Sequence, residues 1–285
     1  MSPAAPARGR TLALTALAML AFAANSVLCR LALGAGAIDA ASFGSIRVLS
    51  GALVLALIVL RRTGRHPARH GDWRSAAMLF AYVAFFSFAY LSLDAGTGAL
   101  ILFGAVQLTM FAVALSRGER FPPSAWFGLA LAIGGLVYLV SPGLTAPPVG
   151  GAVLMAVAGV AWGAYSLLGR GVADPLGATA GNFLRAVPMV RAVSLAFAGS
   201  AHASASGVWL AVASGAVTSG LGYVVWYAAL RGLAASSAAT VQLSVPAIAA
   251  LGGVLLLDEA LTLRLVLAST ATLGGIAIVL SRRRT

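Results

Sequence analysis

Asn25-Ser26-Val27-Leu28-Cys29-Arg30 is answered about 140 residues further on by Tyr165-Ser166-Leu167-Leu168-Gly169-Arg170. Working outward at the same offset, Gly118-Glu119 answers to Asp258-Glu259, and Gly134-Gly135-Leu136-Val137-Tyr138-Leu139-Val140-Ser141 to Gly274-Gly275-Ile276-Ala277-Ile278-Val279-Leu280-Ser281. Three collinear matches at one offset define an internal duplication. Each half holds an odd number of membrane-length apolar segments, so the second half crosses a bilayer upside down relative to the first. That is the ground plan of a secondary transporter.

Composition points the same way. Of 285 residues 60% are apolar and 9% charged, with a mean hydropathy of +0.97, more apolar surface than a soluble domain of this size can hide. The net charge of +12 would suggest nucleic acid in a soluble protein. Here the cations sit mostly in short loops between apolar spans, where they set topology, and no basic stripe interleaved with aromatics is present, so nucleic acid is not an expected partner.

All 19 basic residues are arginine. Without lysine there is no Walker A loop and no amine for a retinal or pyridoxal Schiff base, which excludes an ATP-driven motor and a rhodopsin-like photoreceptor within the chain. Cys29 is the only cysteine, so neither an internal disulfide nor a thiolate metal cluster is expected, and no cofactor is implied. Arg8 and Arg10 ahead of the apolar run Leu12 to Ala24 mimic a secretory signal, and Cys29 mimics a lipoprotein acceptor. Leu28 is too bulky for a small-residue cleavage site, and the segment pairs with an internal span. It reads as the first transmembrane helix.

A helix needs about 20 apolar residues to cross the hydrocarbon. Ten segments qualify: 11–33, 40–60, 75–93, 97–116, 124–141, 149–169, 176–198, 207–230, 235–257 and 262–281. The expected fold is an all-α polytopic membrane protein, ten transmembrane helices in two inverted-topology repeats of five, 1–145 and 146–285. The link from Arg61 to Arg74, the head Arg8/Arg10 and the tail Arg282 to Arg284 satisfy the positive-inside rule together when both termini are cytoplasmic. Arg30 and Arg264 break that pattern near the outer ends of their helices, where snorkelling would accommodate them.

All seven acids fall in loops or at helix ends, which argues against ion coupling through a midplane carboxylate. Asp39 and Asp174, ahead of the second and seventh spans, read as helix N-caps. Glu119 and Glu259 occupy equivalent turns and read as closing tight helix–helix connections. The costly residues are the arginines inside spans. Arg47 and Arg185, matched early in the second and seventh spans, either bond carbonyls as scaffold or reach a substrate or gate. Arg191 has no counterpart.

Gln107-Leu108-Thr109 in the fourth span and Gln242-Leu243-Ser244 in the ninth place an amide in comparable positions. An amide facing lipid is left unsatisfied, so each faces another helix or a cavity. Trp162 and Tyr165 share a face of the sixth span, Tyr223, Trp226 and Tyr227 a face of the eighth, and Tyr82, Phe86 and Tyr90 a face of the third. Lying away from span ends, they serve either packing or a ligand, and with Asn25 they suit a cavity for a small amphipathic solute. Gly134-Gly135, Gly252-Gly253, Gly274-Gly275 and the Gly215 to Gly222 region allow close helix contact. Pro246 offers a bend beside Gln242.

These features together resemble the drug/metabolite transporter superfamily, specifically its EamA branch: ten spans, the five-plus-five inverted duplication, an arginine early in spans two and seven, the Glu after spans four and nine, and Trp162-Gly163-Ala164-Tyr165-Ser166. The resemblance covers nearly the whole chain and includes amino-acid and metabolite exporters of the YddG type. It implies a central cavity drawn from spans one, three, four, six, eight and nine, where Asn25, Tyr82, Gln107, Trp162, Tyr223, Trp226 and Gln242 would bind substrate. Met110 stands where many relatives have proline. The expected function is export of a small metabolite, an amino acid and among these an aromatic one, across the bacterial inner membrane by alternating access. No catalytic or metal site is expected. An importer, a multidrug extruder and a membrane-embedded enzyme are the rivals, and assembly as a homodimer is left open.

Overall fold

The computed structural model describes residues 8–64, 67, 70–170, 172–233 and 235–281, without the side chains of 235 and 236. The tail Arg282 to Arg284, and Arg65, His66 and Arg69 of the basic link, lie outside the described residues. Among the described residues the chain is helical with no strand, and Ile38 and Ala203 form an isolated bridge between two loops.

The helices are α1 (Arg8–Gly34), α2 (Ala40–Thr63), α3 (Trp73–Ala89), α4 (Ala95–Ser116), α5 (Pro123–Val140), α6 (Val149–Leu168) and α7 (Pro175–Ala196). Next comes α8 (Ala205–Leu230), whose middle third, Ala213–Leu221, is a π-helix. Then follow α9, in two pieces Ala235–Val241 and Ser244–Leu257, and α10 (Leu263–Ser281). Eight of these are long and apolar enough to cross a membrane. The other two expected spans fall on α3, which has 17 residues, and on α7, whose hydropathy is diluted by Asn182, Arg185 and Arg191.

Capping residues set the helix starts. The Asp39 carboxylate accepts the Ser42 N–H at 2.8 Å, and Asp174 accepts that of Gly177 at 3.1 Å, the N-caps expected of both. Asp72 caps α3 the same way through Ser75. Pro123 and Pro175 stand in the first turns of α5 and α7, where a missing N–H costs nothing. Gly64 ends α2 at φ 63°, the left-handed turn that glycine takes without penalty. In α9 the ladder fails at Gln242 and Leu243, four residues ahead of Pro246, which has no N–H to return to Gln242. The Gln242 carbonyl takes the Val245 N–H instead, at 3.1 Å. α4 runs unbroken, with no proline in its span.

Small residues let the bundle close. A side chain at Gly215 would run into the Arg47 carbonyl, and one at Gly51 would come within 3.0 Å of the Gly215 carbonyl, so α2 and the π-stretch touch backbone to backbone. Gly128 and Gly275 make the same contact between α5 and α10. Of the Gly-Gly pairs, Gly135 and Gly275 face a neighbour, while Gly134 and Gly274 look into open space.

Candidate functional site

Side chains of α1, α2, α3, α4, α6, α8 and the break in α9 meet around a narrow cavity of about 30 Å³, room for about two waters. Its polar side begins with Arg47, which is 1% exposed. Nη2 donates to the Tyr82 hydroxyl at 3.0 Å and Nε to the Ser219 hydroxyl at 3.3 Å. The guanidinium carbon lies 5.2 and 4.9 Å from the ring centres of Tyr82 and Phe86. Cation–π attraction and these bonds offset part of the several kcal/mol that burying a charge costs. Asn25 Oδ1 accepts from Ser214 at 2.7 Å and Thr218 at 3.2 Å, and its amide donates to Tyr82 at 3.5 Å.

The π-stretch supplies three of these hydroxyls, Ser214, Thr218 and Ser219, and nothing in the sequence announced it. Bonding i to i+5 widens the turn, and such segments occur frequently at functional sites. Opposite lies an aromatic wall. Trp162 stacks on Tyr223 at 5.5 Å and on Tyr165 at 5.4 Å, and tilts against Tyr82 at 4.8 Å. Phe22 closes it against Tyr223 at 6.0 Å. Gln242 lines the cavity from the helix break while its amide donates to the Ala238 carbonyl at 3.2 Å.

Five of the seven residues expected at the site thus share one cavity: Asn25, Tyr82, Trp162, Tyr223 and Gln242. Two do not. Trp226 stands behind the wall, 9% exposed and edge-on to Phe22 at 5.9 Å. Gln107 lines a separate cavity of about 640 Å³ with Met110, Phe111 and Arg170. The triplet comparison misplaced it. At the 140-residue offset Gln242 answers to Leu102, which does line the central cavity, and Gln107 lies five residues beyond, about 7.5 Å along the helix.

The matched arginines part company too. Arg185 donates to the backbone carbonyls of His70 and Gly181 and is scaffold. Arg47 belongs to the cavity. The sequence marked both as costly charges inside spans and did not tell them apart. Arg191 is exposed in a groove between α2 and α7 beside Ser45 and Ser194.

The end of the bundle that carries the α1–α2, α3–α4 and α9–α10 turns is cross-linked. Both Glu259 carboxylate oxygens accept the Ala95 N–H, at 3.0 and 2.9 Å, capping α4 from a distant turn. The Glu259 side chain therefore serves another helix, while its backbone N–H donates to the Gly253 carbonyl at 3.1 Å and closes its own connection as expected. Arg30 reaches Glu259 at 3.3 Å and Asp94 at 3.5 Å. Burial pushes the Glu259 carboxyl above the ordinary range, outweighing the Ala95 N–H and the nearby Arg30, with Asp94 adding to the rise. Arg264 donates to the Leu139, Ser141 and Pro142 carbonyls, at and just past the end of α5. Arg30 and Arg264 are thus held by partners, where snorkelling was expected. The Asp39 backbone N–H donates to the His202 carbonyl, its side chain accepts the His202 N–H at 3.0 Å, and the Ser204 N–H donates to the Ala37 carbonyl.

Partial burial raises the Asp39 carboxyl, but the hydrogen bonds from Ser42 and His202 win and hold it below the ordinary range. A depressed carboxyl contributes stability that is full above its unfolded pKa of about 4 and is lost as pH falls through the lower folded value. In detergent, melting temperature is therefore expected to fall below pH 4, and Asp39→Asn to flatten that part of the profile. An unchanged profile would remove Asp39 from the joint.

The sequence pattern of the EamA-like transporter family matches this chain twice, over residues 9–141 and 149–281. An uncharacterized protein of Pseudomonas aeruginosa is 58% identical over 275 residues, 96% of each chain. A solved crystal structure, 22% identical, superposes on 98% of this chain and all of its own with a TM-score of 0.69, and so shares the fold. With its apolar helices, the chain is a multi-pass membrane protein and belongs to the EamA-like transporter family, whose members carry small solutes.

Proposed function

We propose that this protein exports a small metabolite, an amino acid and within that class an aromatic one, across the bacterial inner membrane by alternating access. The observation that carries the reading is the central cavity. It joins a hydrogen-bonding face of Arg47, Asn25, Tyr82 and Ser219 to a stacked Trp162–Tyr223 wall, and though it holds only about two waters in this closed arrangement, its amphipathic lining suits a solute with one polar and one aromatic end once the helices part. It draws on both halves of the chain, 1–145 and 146–285, as a site between two inverted five-helix repeats would. The double family match supports that division.

One end of the bundle is cross-linked and the 640 Å³ cavity lies toward the other, which carries Arg170 at the end of α6. With ten spans and cytoplasmic termini the linked end is periplasmic, and the conformation is sealed outward. Alternating access then moves the closure from one end to the other, driven by the solute's own gradient.

Counterflow in proteoliposomes with labelled phenylalanine, tryptophan, leucine, glucose and a cationic dye tests this. Exchange is expected for the aromatic amino acids first. Trp162→Ala and Tyr223→Ala are each expected to raise KM about fivefold, the value of one aromatic contact, in protein that still elutes as a folded species. Exchange of the dye alone would replace this reading with multidrug extrusion, and unchanged KM in both variants would remove the wall from the site.

A further inference from the structure

Arg47 leaves one nitrogen of its guanidinium unused. Nε and Nη2 have partners, but Nη1 is a buried side-chain nitrogen without one. The residue is 1% exposed and lines the central cavity. A buried, unpartnered cationic donor is expensive, since the charge is held in a medium of low polarity with nothing to receive its hydrogens. The cavity supplies no counter-charge: among the described residues its lining holds no Asp or Glu. The acids lie elsewhere, Asp39, Asp72, Asp94 and Asp174 at helix starts, Glu119, Asp258 and Glu259 in turns.

A second donor stands beside it. The Tyr82 hydroxyl oxygen already accepts from Arg47 Nη2 and from Asn25. With both lone pairs taken, its own proton must be given to something else. The site therefore presents one guanidinium nitrogen and a phenol proton, one positive charge in all. That matches a carboxylate, which carries one negative charge and can accept one bond from Nη1 and one from the phenol. A phosphate dianion would call for a second cation, and the lining offers none.

We propose that the transported solute is bound as a carboxylate, with Arg47 Nη1 and the Tyr82 hydroxyl as its anchor and the Trp162–Tyr223 stack receiving its apolar part. This rests on the reading of the cavity as the transport site and names the substrate class. With no acid to hold a cation, an ammonium group on the solute contributes less to binding than its carboxylate does.

The test uses purified full-length protein in detergent, with ligand-induced rise in melting temperature as the binding signal, and counterflow in proteoliposomes alongside. The probes are 3-phenylpropionate, L-phenylalanine, L-phenylalaninamide, phenethylamine and inorganic phosphate. The two acids are expected to bind at least tenfold more tightly than the amide and the amine, and phosphate not to bind. Arg47→Gln is expected to bring the acids to the level of the amide, and Arg47→Lys to keep part of the preference. Equal binding of acids, amide and amine, binding of phosphate in place of the acids, or no binding by any probe would overturn the anchor. So would an acid preference surviving in folded Arg47→Gln. Where that variant does not fold, the wild-type series decides alone. Binding of 3-phenylpropionate without phenylalanine would uphold the anchor and end the amino-acid reading. Binding of the acids without counterflow would uphold the anchor and end the transport reading.

Discussion

Replacing Glu259 with alanine is expected to raise the rate at which Cys29 reacts with a membrane-permeant maleimide by tenfold or more. Cys29 is the chain's single cysteine, fully buried on α1 next to Arg30. A reagent reaches it only when the cross-linked end loosens. Glu259 holds that end by accepting the Ala95 N–H and pairing with Arg30. Hydrogen bonds to a charged group contribute about 1.5 to 3 kcal/mol net, and the lower figure applies here because Arg30 is partly exposed. Each 1.4 kcal/mol is a factor of ten in the open population. Glu259→Gln keeps an acceptor for the Ala95 N–H but loses the charge, so an intermediate rate is expected. A rate unchanged in both variants would show that the closure rests on other contacts, the carbonyls under Arg264 first among them.

Gly215→Ala is expected to cut exchange about thirtyfold while Gly134→Ala and Gly274→Ala leave it unchanged. The three substitutions add the same methyl group. At Gly134 and Gly274 it meets nothing, whereas at Gly215 it meets the Arg47 carbonyl and the Ser50 hydroxyl. A backbone carbonyl inside a helix cannot swing aside as a flexible side chain would, so α2 must back away. Overpacking of this kind costs about 1 to 3 kcal/mol. The displacement falls on the residue whose Nε bonds Ser219, so the cavity loses its polar side together with the helix contact. Equal exchange by the three variants would mean that the approach of α2 to α8 does not position Arg47.

Much of this arrangement could be read from the sequence because its causes are local. The caps at Asp39 and Asp174 need only the following three residues, and the break in α9 follows from Pro246 four residues past Gln242. The members of the aromatic wall were visible because they recur at helical spacing within α6 and α8, although the stack itself joins the two helices. What escaped depends on partners far apart in the chain. Glu259 caps a helix that begins 164 residues earlier, which a turn-by-turn reading takes for a local closure. Gln107 and Gln242 look alike in their triplets, yet stand in different cavities because helix position, not neighbouring residues, decides what a side chain faces. Arg47 and Arg185 occupy matched places, but one reaches loop and helix carbonyls while the other is sealed among hydroxyls and rings.

The widened middle of α8, Ala213–Leu221, carries spare chain. A turn that bonds five residues along holds one more residue than its neighbours above and below, and the surplus can be handed up or down the helix by exchanging one hydrogen bond for the next at small enthalpic loss. As it passes, the two flanking segments rotate relative to each other without the helix lengthening much. Ser214, which grips Asn25, lies at the start of that zone, and Tyr223, which stacks on Trp162, lies just beyond its other end. The two faces of the central cavity can therefore turn out of step on one continuous rod.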